Sequence, residues 1–174
     1  MIRKALTRDA HAIAQVHISS WQAAYADLMP ADYLNALTAT LARRESRWAS
    51  SIESGESVVF VAQSNNQVVG WIAVGASRDD DAVGTHIGEV SALYVSPGAW
   101  QTGVGLALWK AGLEHLREQG HRRATLWVLA GNERAIRFYR RAGCSEEPGS
   151  GRNLQRGGVT LTEVRYALLL TDAR

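Results

Sequence analysis

The spacing of apolar residues changes character along the chain, and each change predicts a different element. Residues 2–6 read as a short strand. Ile13, Val16, Ile18, Trp21 and Tyr25 then recur at helical spacing and predict a helix from about Arg8 to Ala24, with Thr7 as its cap. Pro30 suits the first turn of a second helix carrying Tyr33, Leu34 and Leu37, and a third helix spans Leu41 to Ile52. From Val58 the period becomes that of strands: residues 58–62 and 68–74 flank Ser64-Asn65-Asn66 and predict a hairpin. A loop from Arg78 to Gly84 precedes a long strand from about His86 to Val95. Pro97-Gly98 breaks that strand, and an amphipathic helix runs from Gly103 to Gln119, closed by Gly120. There follow a strand over 124–128, a helix opened by Asn132 and ending near Gly143, a short strand within 144–146, a glycine-rich loop over 148–158 and a final strand from Val159 to Leu170. Without a repeat or a linker, the pattern predicts one α/β (α+β) domain over residues 1–174. Its centre is a mixed, mostly antiparallel sheet of about six to seven strands flanked by helices.

Composition narrows the function classes. Apolar residues make up 46% and charged residues 21% of the 174, a globular balance. The net charge of +2 arises from 19 basic and 17 acidic residues without a long basic run, which argues against a nucleic-acid binder. Cys144 is the only cysteine, so an internal disulfide and a cysteine-based metal site are excluded. The five histidines show no paired ligand spacing, and no metal is expected. The first residues lack the apolar core of a signal peptide and no eighteen apolar residues run together, so no membrane partner and a cytoplasmic, reducing location are the default expectation.

The chemistry concentrates between Glu89 and Leu108, a strand, a glycine-bearing turn and a helix start. Backbone N–H groups at a helix start lack intrahelical partners, and the helix dipole adds partial positive charge there. Gly103 and Gly105 carry no Cβ and let an anion approach the backbone, as a di- or triphosphate would. A Walker loop requires Gly-Lys-Ser/Thr, whereas Leu106-Ala107 follows Gly105. The dinucleotide fingerprint fails because Leu108 stands at its third glycine.

What remains resembles the GNAT superfamily of N-acetyltransferases, whose signature is Arg/Gln-x-x-Gly-x-Gly/Ala after a strand ending in a Leu-Tyr-Val-like triplet and Pro. Leu93-Tyr94-Val95-Ser96-Pro97 and Gly103-Val104-Gly105 fit it, and Asn132-x-x-Ala135-x-x-Phe138-Tyr139-x-x-x-Gly143 fits a second block in the right order. The resemblance covers residues 85–143 and extends loosely to the first strand, the first helix and the hairpin. One position departs from it: the Arg/Gln slot holds Trp100, and Gln101 follows where glycine is common. The resemblance implies a GNAT-like sheet splayed at a cofactor cleft, with acetyl-coenzyme A as cosubstrate. Leu93, Tyr94 and Val95 would line its pantetheine arm, with the Val95 N–H polarising the thioester carbonyl. Amides of Gln101, Thr102, Gly103, Val104, Gly105 and Leu106 would hold the pyrophosphate, and Asn132, Ala135, Phe138 and Tyr139 would complete the cofactor site.

By the same resemblance, Tyr139 is the general acid to the departing thiolate and Glu89 the general base, directly or through water. Strand alternation places Glu89 on the face of Ser91, Leu93 and Val95; a salt-bridged glutamate is the structural alternative, and His86 is the rival base. Cys144 reads as a small buried residue. Trp21 and Tyr25 share a helix face and are candidates for the acceptor pocket, with core packing the alternative. Asp79-Asp80-Asp81 is either a solvated loop or an attractor of a cationic acceptor. The expected activity is direct acetyl transfer to a primary amine, by default of a small molecule, in an enzyme that could dimerise through its long final strand. A non-catalytic acyl-coenzyme A-binding or sensing module on the same fold is the competing class.

Overall fold

The computed structural model describes residues 1–55 and 57–170. In chain order its elements are β1 (Ile2–Lys4), α1 (Ala10–Ala24), α2 (Ala31–Ala36), α3 (Leu41–Ser54), β2 (Val58–Ser64), β3 (Gln67–Ala76), β4 (Ile87–Val95), α4 (Val104–Glu118), β5 (Arg123–Leu129), α5 (Glu133–Arg141), β6 (Ser145–Glu146), β7 (Arg152–Arg156) and β8 (Val159–Leu169). The predicted hairpin is β2–β3; its turn residues Asn65 and Asn66 are both left-handed, as a tight two-residue connection demands. The sheet runs β1-β2-β3-β4-β5-β8, antiparallel except where β4 meets β5 in parallel.

The sheet has eight strands, not six to seven. The additional one, β7, lies inside the segment read as a glycine-rich loop. Its sequence Arg-Asn-Leu-Gln-Arg is nearly all polar because it forms an edge, so it carries no apolar alternation. Gly157 and Gly158, at φ 57° and 79°, return the chain directly into β8. β7 and β6 together line the outer edge of β8, whose inner edge pairs with β5. β5 occupies one edge over residues 163–169, and β7 and β6 occupy the other over residues 159–163 and at Tyr166 and Ala167. The start of α1 differs too. Thr7 does not cap it; residues Thr7–Asp9 form a 3-10 turn, and Asp9 accepts the Leu6 N–H (2.8 Å) while Arg3 donates to both of its oxygens (2.7 and 2.9 Å).

Two apolar layers sandwich the sheet. On one face α4 and α5 cover Ile72, Val74, Val90 and Leu126; on the other α1 and α3 cover Val59, Val61, Trp71 and Ala73. Trp71 is fully buried, and its Nε1 donates to the Ile13 carbonyl (3.1 Å), pinning α1 to the sheet. α4 crosses β3 at Gly112, where a Cβ would stand 2.8 Å from Ile72 Cδ1 and 3.0 Å from Val74 Cγ1. Overpacking such a crossing costs about 1–3 kcal/mol. Gly112→Val is expected to lower unfolding stability by that amount in urea titration; an unshifted midpoint contradicts the close approach.

Candidate active site

β4 and β5 pair only at Ile87 with Arg123, Gly88 with Ala124 and Glu89 with Thr125. Beyond these the strands part. A β-bulge sits at the fork: Val90 faces Val74 and Ala92 faces Ala73, so Ser91 is the extra residue, its hydroxyl donating to the Ala73 carbonyl (3.2 Å). Bulges bend the strand that carries them. The parted strands border a cavity of about 380 Å³, walled by α1 residues, the start of α5 and the β7–β8 hairpin.

The ladder of β4 shows which backbone groups face the gap. Ser96 N–H donates to the Val69 carbonyl (2.8 Å), so Gly70 and Val95 are a non-hydrogen-bonded pair. Val95, and Leu93 two residues before it, therefore turn their N–H and C=O away from β3 and toward the gap. The Val95 carbonyl is already taken by Ser20 Oγ (3.0 Å) and Trp100 Nε1 (2.7 Å). Its N–H is the group left to meet an incoming oxygen.

After β4, Pro97–Ala99 form a 3-10 turn, and the chain enters α4 through two left-handed residues, Gln101 (φ 61°) and Gly103 (φ 86°). A left-handed non-glycine costs roughly 1–2 kcal/mol, which explains why the GNAT signature often has glycine where Gln101 stands. Gly103 is the N-cap without a side-chain cap bond, and Ala107 N–H, donating to the Gly103 carbonyl, is the first to join the helix ladder. The N–H groups of Val104, Gly105 and Leu106 are thus left at the helix end. A Cβ on Gly105 would lie 3.7 Å from Phe138 and 3.8 Å from Val95, so this glycine packs the helix start against both.

Leu93, Tyr94, Val95, Asn132, Ala135 and Tyr139 line one cavity, as do Glu89, Trp21 and Tyr25. Gln101 to Leu106 and Phe138 stand outside it, at the turn and beneath it. Asn132 Oδ1 caps α5 by accepting the Ala135 N–H (3.2 Å). Tyr139 is buried, its ring 5.4 Å from Trp109 and 5.3 Å from Phe138, and burial pushes its phenol above the ordinary tyrosine range. It holds its proton across all working pH. Cys144 is buried as expected, its thiol raised to about 11 by that burial. Trp21 and Tyr25 meet edge to face at 5.2 Å, and burial raises the Tyr25 phenol as well.

The bulge overturns the alternation argument for Glu89. Val90, Leu93 and Val95 all pack under α4, whereas Ala92 and Tyr94 pack toward α1. One extra residue has shifted the phase, so Glu89 lies on the face of Ala92 and Tyr94, opposite to Leu93 and Val95. The carboxylate is buried and accepts Arg78 Nη2 (3.0 Å), Arg78 Nε (3.2 Å) and the Arg78 backbone N–H (3.1 Å). His86 is exposed at the strand start and does not reach the cavity. The solvated-loop reading holds for Asp80 and Asp81, which are exposed, whereas Asp79 is turned inward; Arg165 bridges Asp79 and Asp81, and Trp127 Nε1 donates to Asp79 (3.1 Å). Sequence reasoning missed Ser20, Arg78, Trp127 and the hairpin residues Arg152 and Glu163. Each owes its place to a tertiary contact with no local pattern.

A family model described as Acetyltransferase (GNAT) family matches residues 13–144. The chain belongs to the GNAT acetyltransferase family. An uncharacterized N-acetyltransferase, YuaI of Bacillus subtilis (strain 168), is 34% identical to this GNAT protein over 164 residues, covering 94% of this chain and 89% of YuaI. The mycothiol acetyltransferase of Cellulomonas flavigena is 39% identical over 88 residues, 48% of this chain and only 25% of that longer protein. Among solved structures, a PaiA N-acetyltransferase of Thermoplasma acidophilum in complex with coenzyme A aligns with TM-score 0.72 at 18% identity, over 94% and 96% of the two chains. YncA of Salmonella typhimurium, a putative acetyltransferase with its cofactor acetyl-CoA, aligns with TM-score 0.73 at 20% identity, over 100% and 95%. These two likenesses show the fold; the family match and the named relatives make this GNAT protein an acetyltransferase. Among the described residues no helix is long and apolar enough to cross a membrane, and no group of three His, Cys, Asp or Glu side chains is placed to hold a metal.

Proposed function

We propose that this enzyme transfers an acetyl group from acetyl-coenzyme A directly to the primary amine of a small molecule. The observation that carries the reading is the forked strand pair, which turns the Val95 N–H toward a cavity that also holds Tyr139 and Glu89. The residues present fit the donor: open main-chain groups along β4 for an extended arm, and uncapped N–H groups at the α4 end for an anion. Acetyl-coenzyme A supplies the acetyl group as a thioester. The Val95 N–H stabilises charge developing on the carbonyl oxygen. The amine nitrogen forms the new C–N bond as the C–S bond breaks; Glu89, through a water on the α1 side, takes the amine's proton, and Tyr139 gives its own to the thiolate. The modest cavity volume, closed by the β7–β8 hairpin, favours a small acceptor. Its carboxylates face arginines, Glu89 with Arg78 and Glu163 with Arg152 (2.6 Å), so it is not built for a polycation.

The test is acceptor-dependent coenzyme A release across small amines, amino acids, antibiotic amines and peptide N-termini. Release with small amines supports the reading; release only with peptides or proteins overturns the acceptor class, and release with none overturns the transfer itself. Glu89→Gln is expected to lower kcat/KM about a hundredfold at the acid end of the profile. The deficit shrinks as pH rises toward the acceptor's own pKa, where the amine arrives deprotonated. A parallel, undistorted pH profile removes Glu89 as the base.

A further inference from the structure

The turn that would receive the cofactor's phosphates carries no cationic side chain of its own. From Ser96 to Trp109 there is neither Lys nor Arg, and Trp100 occupies the slot where the GNAT signature has Arg or Gln. Trp100 does not reach outward for a ligand. Its Nε1 is committed to the Val95 carbonyl at 2.7 Å, which folds the indole against the end of β4. A pyrophosphate held there by amides alone would keep most of its charge unmatched.

A cation arrives from the opposite side of the cleft. Arg134, in the first turn of α5, lays its guanidinium over the Trp100 ring, 3.3 Å from the centroid. It lines the cavity near Tyr139 and Asn132, and among the described residues it has no carboxylate partner; its neighbour Glu133 is engaged by Arg137 (3.2 Å). The stack sets the guanidinium on the residue that precedes Gln101, where the chain turns into the amide-bearing helix end. Stacking uses the face of the guanidinium plane and leaves its edge N–H groups for bidentate contact with phosphate oxygens.

We infer that Arg134, positioned by the Trp100 ring, is the phosphate-binding cation of the cofactor site, taking the place of the side chain the turn lacks. The inference rests on the acetyl-coenzyme A reading above. Trp100 is then a positioning residue: its ring holds the arginine and its Nε1 ties the pair to the strand end that carries the Val95 N–H.

Titration calorimetry with coenzyme A and with pantetheine, which lacks every phosphate, separates this role from general pocket shape. A charge-assisted bond to phosphate is worth about tenfold to a hundredfold in affinity. Arg134→Gln is expected to weaken coenzyme A by that factor and to leave pantetheine unchanged. Arg134 is exposed, so the variant keeps its melting temperature. Trp100→Leu weakens coenzyme A in the same direction but less, and Trp100→Arg added to Arg134→Gln recovers part of the lost affinity. Unchanged coenzyme A affinity in Arg134→Gln, or an equal loss for pantetheine, overturns the inference while leaving the donor assignment intact. A wild-type protein that does not bind coenzyme A overturns the donor assignment itself, and this inference with it.

Discussion

Tyr139→Phe is expected to lower turnover about a thousandfold, within the range that a positioned proton donor contributes, while acetyl-coenzyme A binds almost as before. The hydroxyl is the only group removed, and the ring keeps its packing against Trp109 and Phe138. Burial keeps the phenol protonated, so the wild-type enzyme has a donor ready at every pH at which the fold survives. Without it the thiolate leaves unprotonated and the reverse attack competes. Single-turnover kinetics beside a binding titration decide the matter: unchanged turnover rejects Tyr139 as the acid, and a parallel collapse of binding and melting temperature makes it a packing residue.

The second large effect concerns stability. His17 stacks on Tyr94 (4.9 Å between ring centres, 15° between planes) and contacts Trp21 and Trp71, and Arg44 Nη1 lies 3.3 Å from its Nε2. Burial first, then the charges of Arg44 and Arg47, lower its pKa to about 3. The folded protein therefore keeps a neutral imidazole where the unfolded chain, with an ordinary value near 6.5, binds a proton. Folding is unpenalised above about pH 6.5 and loses roughly 1.4 kcal/mol per pH unit below it, flattening near pH 3. At about pH 4.5 the loss is roughly 2–3 kcal/mol. His17→Phe keeps an aromatic ring and cannot titrate, so the difference in unfolding free energy between the two proteins should grow steadily from pH 6.5 to pH 4. Parallel stability curves would show that His17 is protonated in the fold.

The elements of the proposed donor half were legible because they are made of local signals. Gly103 and Gly105 mark a helix entry, Asn132 marks another, and Tyr139 sits at fixed spacing from both Asn132 and Gly143; each constraint lies within a single element and its caps. The other side of the cavity is assembled from β7, β8, α1 and the loop before β4, and nothing in Arg152 or Glu163 as residues foretells that they will flank it. β7 escaped notice for the same reason: an edge strand buries little and needs no alternation. The face of Glu89 was misread because period-two reasoning assumes an unbroken ladder, and Ser91 carries no sequence mark of a bulge. The triple aspartate is ambiguous in sequence because Arg165, 84 residues beyond Asp81, holds Asp79 and Asp81 but not Asp80.

The extra residue at Ser91 has a wider consequence. It stands where β4 leaves β5, and it also sets which face of the sheet the residues upstream occupy relative to Val95. On the proposed mechanism one insertion in the ladder thus acts as a phase shifter between two half-reactions: the stretch after it reads out to the thioester, the stretch before it to the nucleophile. On that mechanism, restoring regular alternation at Ser91 would turn Glu89 to the α4 face and withdraw the proposed base. On the proposed mechanism, donor and acceptor chemistries are therefore not independently movable along this strand.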